Sequence, residues 1–152
     1  MADGSQVNLK LTPGEILIGA GALITFVFSF FDFYSAPSFS TSRGTFGGGI
    51  SAWGDGLLPI ATLIVFLTVV MGLQVVLVNL LSVDLGPGIG GFTWPQIHLA
   101  LGFFAVVDSL AFLAVKKGGY DIGIGLIFML LGSVACFIGA VLITNERATS
   151  KA

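Results

Sequence analysis

The stretch Ile122–Thr144, IGIGLIFMLLGSVACFIGAVLIT, decides the fold, because it runs without a single charge. An α-helix needs ~20 mostly apolar residues to cross a bilayer core ~30 Å thick, and this run is long enough. Working outward, three further stretches meet the same length: Glu15–Tyr34, Leu57–Val83 and Gln96–Val115. The expected fold is therefore all-α, a four-transmembrane-helix bundle in up-down-up-down order with Gly-rich loops. It forms one domain over residues 1–152, with helices at about 14–34, 57–80, 95–115 and 121–144. Within the last helix, Gly118, Gly125, Gly132 and Gly139 recur every seven residues, with Ala135 and Cys136 close to the same face. That period keeps one stripe facing a partner helix, and small residues let the backbones approach closely.

Composition supports a lipid solvent. Of 152 residues 55% are hydrophobic and 9% charged, and the mean hydropathy is +1.03. A formal net charge of −2 leaves no basic field for nucleic acid. The single cysteine, Cys136, excludes a disulfide framework and a cysteine metal cluster, and reads as a small buried hydrophobe. The polar start Met1–Thr12 and the long apolar run after it read as a retained first span, not a cleaved signal.

Local signals place the helix ends. Thr12-Pro13-Gly14-Glu15 predicts an N-cap, a first-turn proline and a capping box. The first helix is expected to end in the aromatic cluster Phe30, Phe31, Phe33 and Tyr34, at interfacial depth. The loop Ser35–Gly56 reads as a flexible Gly-rich connector with a few interfacial aromatics. Thr93 is a predicted N-cap for the third helix, with Pro95 in its first turn. Lys116-Lys117-Gly118-Gly119 predicts a tight turn that lays the third and fourth helices side by side. The flanking positive residues tie, Lys10, Arg147 and Lys151 against Arg43, Lys116 and Lys117. Lys10 beside the first helix tips the reading towards both termini in the cytoplasm, in the plasma (inner) membrane.

Chemistry concentrates on few residues. Asp108 falls inside the third helix, where an acid costs ~2.5–3.5 kcal/mol on insertion scales and so faces the bundle interior or water. It reads either as a proton or cation site or partner contact, or as a neutral acid bonded to Thr62, Ser29 or a backbone carbonyl at similar depth. Asp32 and Asp121 read as interfacial residues. Trp53, Trp94, His98 and Tyr34 read as interface anchors, and Gln74 and Asn79 as interhelical hydrogen-bonding residues. The sole histidine and sole cysteine lie on different helices, so no catalytic constellation, metal site or cofactor is expected.

Gly14-Glu15-Ile16-Leu17-Ile18-Gly19, the aromatic segment Phe31–Tyr34, and Trp53 ahead of Leu57-Leu58-Pro59 resemble small uncharacterised four-span integral membrane proteins of actinobacteria. The resemblance covers the first half of the chain and implies an envelope location. The expected function is a non-catalytic accessory or scaffold subunit of a larger membrane complex, respiratory or cell-envelope, and not an enzyme. Its expected contacts are membrane lipid and a membrane-protein partner or second copy on the Gly125/Gly132/Gly139 face. The alternative is a small oligomeric transporter or proton- or ion-conducting protein using Asp108.

Overall fold

Helix α1, Pro13–Phe28, starts where the sequence signals it. The Thr12 hydroxyl accepts the Glu15 N–H at 3.3 Å, and a Glu15 carboxylate oxygen accepts the Thr12 N–H at 2.8 Å. The computed structural model describes residues 11–37, 39–42, 44–46, 48–54, 59–115 and 119–149. Strands β1 (Asp32–Ser35), β2 (Phe39–Thr41), β3 (Gly44–Phe46) and β4 (Gly49–Ser51) follow, then α2 (Ile60–Asn79). A hairpin of β5 (Gly88–Ile89) and β6 (Phe92–Thr93) leads into α3 (Trp94–Ala114), and β7 (Asp121–Ile122) leads into α4 (Ile124–Thr149). The expected turn at Lys116-Lys117-Gly118 and the helix start at Leu57-Leu58 lie outside the described residues.

Two expectations need correction. The first helix does not reach Tyr34. It stops at Phe28, where the Ser29 hydroxyl donates back to the Phe26 carbonyl at 2.6 Å. Nor is the chain all-α. β1 sits at the centre of a three-stranded antiparallel sheet ordered β4-β1-β7, with Tyr34 opposite both Ile50 and Ile122. β7 therefore takes the residues at which the fourth helix was expected to begin. The physical reason is shared: the C-terminal end of α1 and the segments entering α2 and α4 meet at one end of the bundle. Their backbone groups satisfy one another there by pairing. The glycine-rich first loop likewise contributes strands, β2–β3 as a hairpin and β4 to the sheet. A bulge between Asp32 and Tyr34 interrupts the alternation of β1, and both Phe33 and Tyr34 turn inward.

The helices form a ring in which each packs on its chain neighbours, and α1 closes it against α4, the most extensive of the helix contacts. Gly14 meets Gly139 and Ile143, Gly21 meets Gly132 and Cys136, and Asn79 bonds Glu15. Together with Ser109 against Ser133, these contacts make neighbouring helices antiparallel, as expected for an up-down-up-down bundle. The core has two layers. Phe33, Ile64, Val65, Ala105, Leu126 and Met129 fill the sheet end, and Ile18, Met71, Val75, Cys136, Ala140 and Ile143 fill the other. Outside, large apolar side chains face the surroundings, among them Phe66, Leu23 and Phe104 at 60% exposure or more. Three helices, α2, α3 and the Ile124–Glu146 part of α4, are long and apolar enough to cross a membrane. α1 has 16 residues, about 24 Å of helix.

Candidate functional site

At the end of the bundle away from the sheet, a polar pocket of about 40 Å³ lies between the helices. Glu15 of α1, Gln74 and Asn79 of α2, and Trp94 and His98 of α3 line it, with Ile143 of α4 closing one side. The Asn79 amide donates to the Glu15 carboxylate at 3.2 Å and to the Val75 carbonyl at 3.1 Å. The Trp94 indole donates to Gly86 O at 3.0 Å, which ties α3 to the loop before it. Gln96 holds the start of α3 by accepting the Thr93 N–H at 2.9 Å. His98 was expected as an interface anchor. It is instead 3% exposed and faces this pocket, with its ring 6.4 Å from that of Trp94. Gln74, Val78 and Trp94 also line an adjoining groove of about 430 Å³, whose outer wall is the loop carrying Ser82 and Asp84.

Asp108 lies in the other half of α3. Among the described residues its Oδ2 is buried with no hydrogen-bond partner. The two hydroxyls expected at its depth serve other groups: Thr62 donates to the Pro59 carbonyl at 2.7 Å, and Ser29 accepts the Trp53 indole N–H at 2.9 Å. Ser29 and Trp53 thus come together, and neither Ser29 nor Thr62 bonds Asp108. The neighbouring residue, Ser109, is fully buried and sits 3.4 Å from Ser133 of α4, each hydroxyl also donating to its own helix. Asp32 and Asp121 lie exposed in the sheet.

Tyr34, another expected anchor, is 2% exposed. Its hydroxyl donates to the carbonyls of Phe112, at 2.7 Å, and Val115, at 3.4 Å, groups that the end of α3 leaves without helical partners. Burial pushes the Tyr34 phenol above its ordinary pKa.

No family model, curated protein or solved structure matches the chain. The site is therefore read from its own geometry. Gly132 and Gly139 face α1, against Gly21 with Thr25 and Gly14 with Ile18 respectively, and Gly125 lies against the carbonyls of Phe28, Phe31 and Asp32 at and just beyond the end of α1. Cys136 is buried on the same seam, its thiol 3.5 Å from the Ile18 carbonyl. The stripe is thus taken up within the chain, and Gly118 lies outside the described residues. Among the described residues no group of three His, Cys, Asp or Glu side chains is placed to hold a metal ion. Sequence reading gave Glu15 a capping role and Asp84 none. Asn79 stands 64 positions from Glu15, so only the fold brings the pocket together.

Proposed function

We propose that the protein is a non-catalytic accessory subunit of a larger membrane complex, docked through α3, with Asp108 meeting a hydrogen-bond donor or cation on a partner helix. The observation that carries this reading is the low coverage of α3, the membrane-length helix that the described residues bury least, with Asp108 part-exposed along it. Only 22% of the membrane-length window of α3 is buried, against 39% for α2 and 44% for α4. Among the described residues no side chain bonds Asp108, and a partner that supplies a donor to its exposed part relieves the cost of an intramembrane acid. Phe103, Phe104, Val107 and Leu110 stand exposed along the same helix and offer the partner an apolar face. In this reading α1 is the fourth span, both termini are cytoplasmic, and the complex belongs to respiratory or cell-envelope machinery of the plasma membrane. The glycine stripe is not the docking face, since a second copy there would have to displace α1.

The test is purification of the tagged full chain from native membranes in mild detergent. Partner proteins are expected to co-purify with the wild type and to fall at least tenfold with Asp108→Leu, while Asp108→Asn, which keeps a polar contact, retains more. Wild-type recovery with Asp108→Leu, in a variant that still folds, sinks the reading. The second reading, proton or ion conduction with Asp108 as the titrating group, draws on the same buried oxygen. It predicts that Asp108→Asn abolishes flux into liposomes. Against it, the buried hydroxyls of Thr25, Thr68, Ser109 and Ser133 each donate to a carbonyl of their own helix, between two apolar core layers.

A further inference from the structure

We propose that the pocket around Glu15 and the groove outside it form a binding site for a primary ammonium group. The two spaces share Gln74, Val78 and Trp94 as walls, so they lie side by side. The inner space, about 40 Å³, suits a single water-sized group, since one water takes ~30 Å³ of the liquid. The outer space, about 430 Å³, falls in the range of small organic ligand sites.

The hydrogen-bond accounting sets the polarity. Asn79 has committed its amide hydrogens to Glu15 and to the Val75 carbonyl, which leaves its carbonyl oxygen to offer. Trp94 has committed its only N–H to Gly86, so its side chain has no donor left to offer. Asp84 receives the Gly86 N–H at 2.8 Å on one oxygen and keeps the other. The Glu15 carboxylate, which already accepts from Thr12 and Asn79, the Asp84 carboxylate and the Asn79 carboxamide oxygen give an electron-rich lining beside the Gln74 amide and the His98 imidazole, and among the described residues neither Lys nor Arg lines either space. The ligand that complements it carries positive charge and several N–H donors. A chelated metal ion fits less well, because no triad of metal-ligating side chains exists among the described residues. The outer wall also holds Ser82 at φ 52°, a left-handed conformation uncommon outside glycine and often found where a loop is shaped for a ligand.

The ammonium could come from a free amine or from the headgroup of an aminophospholipid, and one experiment separates them. The full chain, purified in a sugar-based detergent, is unfolded thermally in ethanolammonium, tetramethylammonium or sodium chloride at equal ionic strength. Ethanolammonium is expected to raise the midpoint in a saturating manner, and the other two are not. Gln74→Leu should weaken the apparent affinity at least tenfold. Asp84→Asn, in the exposed loop, supplies a second variant with the same expected direction if Gln74→Leu does not fold. In nanodiscs, a free-amine ligand gives the same shift in phosphatidylethanolamine and phosphatidylcholine. A headgroup ligand abolishes the shift in phosphatidylethanolamine alone. Equal responses to ethanolammonium and sodium, or to ethanolammonium and tetramethylammonium, overturn the proposal, as does a wild-type response from both variants.

Discussion

Tyr34 caps a helix far from its own place in the chain. The carbonyl it serves, Phe112 O, lies 78 positions away, so nothing local distinguishes this tyrosine from an interfacial ring. Its neutral hydroxyl is the donating form, and burial raises its pKa above the ordinary 10.0. The folded state therefore holds this proton at a pH where the unfolded chain has lost it. The contribution to stability is constant below pH ~10 and declines as pH rises towards the folded-state pKa. Tyr34→Phe should lower stability by about 0.5–1.5 kcal/mol at neutral pH. Denaturation of both proteins from neutral to strongly alkaline pH should show the difference shrinking above pH ~10. A difference that stays constant across that range would remove the capping role.

The contact between α1 and α4 shows how far an element can be read before its partner is known. The seven-residue glycine period of α4 was legible, and so was its need for a close-packed neighbour. The neighbour was not, because α3 is nearer in sequence and α1 shows its matching small residues only as Gly14 and Gly21, one period apart. A methyl group added at Gly132 would stand 2.6 Å from the Gly21 carbonyl oxygen and 3.0 Å from the Thr25 nitrogen. Backbone atoms cannot swing aside, so Gly132→Ala must separate the helices and should cost about 1–3 kcal/mol. Gly19, with nothing within 4 Å of the same added atom, is the control. Gly19→Ala should be neutral or stabilising by up to ~1 kcal/mol. Chemical or thermal unfolding of the two variants side by side decides it, and equal effects would sink the interlocked seam. The sheet was hidden for a related reason. Asp32–Ser35 reads as the tail of an apolar run, and its strand partners at Gly49–Ser51 and Asp121–Ile122 are not local. Hydropathy registers such a segment as apolar but says nothing of its pairing. The capping box at Thr12 and the core of each long helix were legible because their determinants are local.

The whole molecule has sides of unequal height. The membrane-length part of α4 has 23 residues, about 35 Å of helix, whereas α1 has 16 residues, about 24 Å. The sheet beyond α1 cannot make up the difference inside lipid. Its outer strands, β4 and β7, have no further strand paired beyond them among the described residues, and hydrocarbon does not tolerate an open sheet edge. If α1 is the fourth span, the bilayer beside it must thin from its usual ~30 Å or the bundle must tilt, at a fraction of a kcal/mol per Å of mismatch. The exposed aromatics Phe30, Phe31 and Trp53, where α1 meets the sheet, mark the level at which that thinner boundary would sit. Thermal unfolding in nanodiscs of phosphatidylcholines with increasing acyl-chain length should therefore show greatest stability in the thinner bilayers and a falling midpoint in the thickest. With α1 outside the membrane, only α2, α3 and α4 would set the match, and their lengths suit ordinary or thick bilayers. A midpoint that climbs steadily to the longest chains would remove α1 from the spans.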